Sequence, residues 1–97
     1  MDALSPGEVT FVVGGPIRRC DLAGLCARFG RVLARAEPEV AICELRGAGA
    51  DAVTVDALAR LQLIARRRGS RVLVRGAPDD LRELLALVGL CDVLAQE

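Results

Sequence analysis

The sequence predicts a small α/β domain, a mostly parallel sheet with helices packed on it, and three observations predict it. Short apolar, β-branched runs at residues 9–13, 40–45 and 71–75 have the length and composition of strands. Each is followed by a stretch whose apolar residues recur at helical spacing, near 21–35, 54–68 and 79–88. The connections between successive strands are long enough for crossovers, which makes neighbouring strands parallel.

The first strand, Val9-Thr10-Phe11-Val12-Val13, is stopped by Gly14-Gly15-Pro16. Asp21 is placed to cap the helix that follows. Leu22, Leu25, Cys26, Phe29, Val32 and Leu33 form one stripe along it, with Arg28, Arg31 and Arg35 on the other side. Glu37-Pro38 ends that helix, and the run from Val40 to Leu45 reads as the second strand. A glycine-bearing turn, Gly47-Ala48-Gly49-Ala50, leads into a helix that begins near Val53 to Val55 and stops before Gly69. Leu58, Leu61, Ile64 and Ala65 supply its inward face. Arg66, Arg67 and Arg68 sit at its negative C-terminal end, where cations are favoured. The third strand runs from Arg71 to Arg75. Asp79 is expected to cap the last helix, whose stripe is Leu81, Leu84, Leu85 and Val88. Gly89 is expected in the left-handed position just past its end, with Leu90 packing back.

The chain of 97 residues has room for one core and one domain, spanning 1–97. With two Phe and no Trp or Tyr, that core must be packed from Leu, Val, Ile and Ala. Thirteen basic residues, all Arg, balance thirteen acidic ones, so no net field draws the chain to nucleic acid or to an anionic membrane. The longest uncharged run, 9–17, is far short of the roughly 20 apolar residues of a membrane span, and no leader-like segment follows Met1. A cytoplasmic protein without membrane insertion is expected. Cys20, Cys26, Cys43 and Cys91 form no CxxC and have no His beside them, so reduced thiols are expected and a metal is not. Lacking His, inward-spaced carboxylate pairs or a Cys next to a base, the chain offers no catalytic constellation, and no cofactor is expected.

From residue 40 onward the chain shows a more specific pattern. It comprises the strand Val40-Ala41-Ile42-Cys43-Glu44-Leu45, the turn to Asp51, Leu58-Ala59-Arg60-Leu61, Ala65-Arg66 and Gly69. Val72-Leu73-Val74, Leu81-Arg82-Glu83-Leu84-Leu85 and Val88-Gly89-Leu90 complete it. This pattern resembles the STAS family, named for sulfate transporters and anti-sigma-factor antagonists, over roughly residues 9–94. The resemblance implies a bacterial regulatory module that binds a protein and performs no chemistry. It offers two partners: an anti-sigma factor that is itself a kinase, or the ABC ATPase of a lipid transporter, which such a domain serves as an accessory subunit.

Two departures from the family bear on mechanism. Family members carry an Asp-Ser-Ser-Gly or Asp-Thr-Gly-Gly motif at the start of the second helix, where the partner kinase phosphorylates a hydroxyl. Here Asp51-Ala52-Val53-Thr54 stands there, and Ala52 and Val53 have none. Thr54 is the nearest candidate phosphosite. Its other reading is a helix cap that accepts the N–H of Asp56 or Ala57. The second departure is at the front: family members begin with two strands, and here the first of that pair is very short or missing, leaving a sheet edge open for pairing, so a homodimer is one expected outcome.

On these grounds the partner surface is expected at 47–58, with Asp51 as an anchor for a partner Arg. Val53, Thr54, Val55 and Leu58 are expected beside it, the two valines as exposed contact area. A rival reading takes Gly47-Ala48-Gly49-Ala50-Asp51-Ala52 as G-x-G-x-x-A between strand and helix, a nucleotide-binding spacing. Against it, Asp51 would sit beside a pyrophosphate, and Arg75 stands where an acid should close the next strand. Arg66, Arg67, Arg68 and Arg71 have two readings as well, an anion patch or a solvated helix end. Neither net positive charge nor aromatic stacking residues accompany them, as nucleic-acid recognition would require.

Overall fold

The structure, a computed structural model, describes residues 7–90. It is an α/β fold whose elements follow in the order β1 (Glu8–Gly14), α1 (Leu22–Ala36), β2 (Val40–Arg46), α2 (Ala52–Arg67), β3 (Arg71–Arg75) and α3 (Asp79–Leu87). A single 3-10 turn, Arg19–Asp21, leads into α1. The strands form a three-stranded parallel sheet in the order β1-β2-β3, so β1 and β3 are its edges among the described residues.

Strand alternation divides the sheet into two unlike faces. Phe11 and Val13 of β1, Ala41, Cys43 and Leu45 of β2, and Val72 and Val74 of β3 belong to the core cluster, and half-buried Val9 packs against it. Leu22, Leu25, Phe29 and Leu33 of α1 close on them, with Ala57, Leu58, Leu61 and Ala65 of α2 and Leu81 and Leu85 of α3. The two phenylalanines meet edge to face across the β1–α1 contact, ring centroids 5.2 Å apart. The opposite face carries Thr10, Val12, Val40, Ile42, Glu44 and Leu73. Of these Ile42 is buried but lies outside the core cluster.

The helix ends follow from local chemistry. At the end of α2, Gly69 takes φ +76°, its N–H donates to the Arg66 carbonyl and the Ser70 N–H to the Ala65 carbonyl. Gly89 does the same for α3 at φ +85°, with Leu90 N–H donating to Leu85 and Leu90 packing on the core, as the sequence indicates. The buried Ser70 hydroxyl donates to the Pro38 carbonyl and ties the start of β3 to the chain entering β2.

Several sequence-based expectations need correction. Residue 54 does not open the middle helix, which begins at Ala52 with Asp51 as its N-cap. The last helix is entered from Pro78, and Asp79 is its first residue, with no side-chain cap bond. Asp21 does stand at the N-cap of α1, but its carboxylate accepts the Arg18 N–H and so closes the 3-10 turn. Val88, expected on the inward stripe of α3, is 52% exposed. No helix among the described residues is long and apolar enough to cross a membrane. Cys91 lies outside the described residues.

Candidate functional site

The start of α2 is built by a tight backbone crossing. The loop leaving β2 passes over the loop leaving β1 so closely that a Cβ on Gly15 would sit 2.6 Å from the Ala48 Cα. Gly47 turns at φ +79°, a conformation that only glycine adopts without strain. The Gly15 N–H donates to the Arg46 carbonyl at 2.8 Å and locks the two loops together. The glycines at 15 and 47 therefore let backbone meet backbone.

From this platform Asp51 enters α2 in an extended conformation and accepts the Thr54 N–H on Oδ1 at 2.8 Å. That bond holds the Asp51 carboxyl below its ordinary pKa, with further help from the Thr54 hydroxyl and the Val53 N–H. The carboxylate occupies the N–H groups that a phosphate would need, which argues against nucleotide binding here.

The structure places the five expected surface residues unevenly. Asp51 is exposed, and Val53 and Val55 are half-buried. Thr54 and Leu58 are not at the surface: they are 0% and 1% exposed and face the core with Ala57 and Leu61. Helical periodicity explains the correction, because residues 54, 57, 58, 61 and 65 share one face of α2 and that face meets the sheet. The Thr54 hydroxyl has no hydrogen bond of good geometry despite its nearness to Asp51, and in the folded chain no kinase can reach it. Val53 and Val55 also part company. Val55 lines a groove with Asp51, whereas Val53 is absent from that lining.

The groove, about 440 Å³, lies between the first turn of α2 and the outer side of α3. Ala50, Ala52 and Val55 form one wall, Leu84 and Val88 the other, and Asp51 and Asp56 stand at the rim. Asp56 is engaged by Arg60, whose Nε donates to Oδ1 at 2.9 Å, and by Arg19 at 3.7 Å. Arg60 holds the Asp56 carboxyl below its ordinary pKa, leaving Asp51 as the rim acid that lacks a cation among the described residues. Leu87, 82% exposed, follows Leu84 by one turn. Sequence reasoning missed the α3 wall. Its signal is an apolar pattern too wide for one inward stripe, since Leu84, Leu87 and Val88 form a second one.

The fold assigns the chain to the α/β class, and the site is an apolar groove with one uncompensated acid at a helix start. Compared with protein-family models, with curated proteins and with solved structures, the chain matches none.

Proposed function

We propose that the chain is a protein-binding regulatory module that docks through the α2–α3 groove onto an anti-sigma kinase-like partner. The observation that carries this reading is the groove itself: apolar walls from two helices, with Asp51 at the rim as an anchor for a partner Arg. The resemblance of residues 40–90 to anti-sigma-factor antagonists supplies the class of partner. Ala52 is exposed at the position where such antagonists carry the phosphorylated hydroxyl, and Thr54 is buried behind it. Docking here is accordingly constitutive, without a phosphate switch. The accessory-subunit reading differs only in the partner, an ABC ATPase.

Titration of the purified chain against a histidine-kinase-like anti-sigma factor tests the proposal. Val55→Asp and Leu84→Asp should each weaken binding at least about tenfold, while circular dichroism stays unchanged. Asp51→Asn, which keeps the cap but drops the charge, should weaken it less. Equal affinity for all variants, or turnover of a small molecule by the chain, would refute the reading. Tight binding to an ABC ATPase instead would select the alternative. Heat on titration with millimolar ATP, GTP or NAD would revive nucleotide binding through Gly47 and Gly49.

A further inference from the structure

Helix α1 carries Arg28, Arg31 and Arg35 and no carboxylate along its length. All three are exposed, and none has an ion pair among the described residues. Their spacing of three and four residues puts them in one row, where like charges destabilise a helix. Arg35 stands in the last turn and is favoured by the helix dipole, but Arg28 and Arg31 lie further in and are not. The contrast with α2 is direct, since Arg60 there has Asp56 one turn away. The row borders an open groove of about 450 Å³ lined by Arg28, Arg31, Val32, Ala34 and Arg35 of α1 and by Phe11 of β1. It shares no residue with the α2–α3 groove.

From this juxtaposition we infer that the α1 groove docks an acidic amphipathic helix of a protein partner. Apolar side chains of that helix fill the floor on Phe11, Val32 and Ala34 while its carboxylates meet the arginine row. Three features select this occupant. From Arg28 to Arg35 the row rises about 10 Å along α1, too long for one phosphate or carboxylate and matched by acids spaced along a second helix. The apolar part is recessed, so it receives side chains, whereas a membrane-binding helix inserts an apolar face of its own. Nucleic acid would need aromatic rings offered for stacking, and Phe11 is only 9% exposed. A helix beside α1, at an interaxial distance of about 8–10 Å, continues the helical layer that α1 and α2 begin.

The probe is a capped helical peptide of about four turns, with glutamates at i, i+4 and i+7 and leucines on the adjoining stripe. Fluorescence anisotropy with the full chain should give a Kd on the order of 10–100 μM at low salt. Raising salt from about 50 to about 500 mM should weaken it severalfold. A peptide with glutamines for the glutamates should bind about tenfold more weakly. Arg31→Glu should do the same with circular dichroism unchanged, and a lysine in place of the central glutamate should restore binding to that variant. Ala34→Glu, which lends the row an acid of its own, should block the original peptide. Val55→Asp should leave binding intact, which separates this face from the α2–α3 groove. No binding up to about 1 mM overturns the inference. So does binding indifferent to salt or to Arg31→Glu, or tighter association with phosphatidylglycerol vesicles than with the peptide.

Discussion

Thr54 and Asp51 divide between them a role that either side chain could fill. Both have a cap-forming oxygen, and they stand three residues apart, so the sequence alone permits a helix starting behind either. Once Asp51 takes the cap, Thr54 is turned onto the inner face of α2, and its hydroxyl is buried without a well-formed bond. Replacing a buried, unsatisfied hydroxyl by a methyl of the same shape removes a desolvation cost. Thr54→Val should therefore raise stability by about 1 kcal/mol in urea melts. The Asp51 cap makes a prediction in pH. Its folded pKa lies below the unfolded value, so its contribution is present above the unfolded pKa and is lost as pH falls through the folded one. The stability gap between wild type and Asp51→Ala should be constant near neutrality and shrink below about pH 4.

At the scale of the elements, α3 is the marginal one. Nine residues are too few for a stable helix in isolation, so α3 depends on Leu81 and Leu85, both fully buried. Leu85→Ala should cost about 2–5 kcal/mol, and amide exchange should show it first as increased opening of α3. Leu87→Ala, two residues on and largely exposed, should change stability by less than about 0.5 kcal/mol. The α3 stripe was legible from the period of its leucines, but its second stripe was not. An apolar residue on a helix flank reads the same whether it is packed or left as a groove wall. The crossing of the two loops was likewise hidden. Gly15 and Gly47 are 32 positions apart, and nothing local in either shows that Gly15 exists to admit Ala48. Gly15→Ala should cost about 1–3 kcal/mol, measured by thermal or urea unfolding.

At the scale of the whole molecule, the core formed by the described residues lies on one face of the sheet, and Cys43 reports on it. It sits on the central strand, 0% exposed, and burial pushes its thiol up to about 12. Cys20, by contrast, is exposed. A thiol reagent at neutral pH should modify Cys20 at once and Cys43 only as fast as the domain unfolds. Labelling of Cys43 faster than global unfolding, followed by mass spectrometry, would show that the sheet opens locally.

The strands, the helices, their parallel arrangement and most of the core were determined by the sequence. These depend on apolar period and turn residues, which act over a few positions. The tertiary structure decided which oxygen caps α2, which of the residues expected at the surface reach it, and which wall completes the groove. Those outcomes depend on contacts between segments far apart in the chain, and periodicity assigns a residue to a face of its own element without saying what that face will meet.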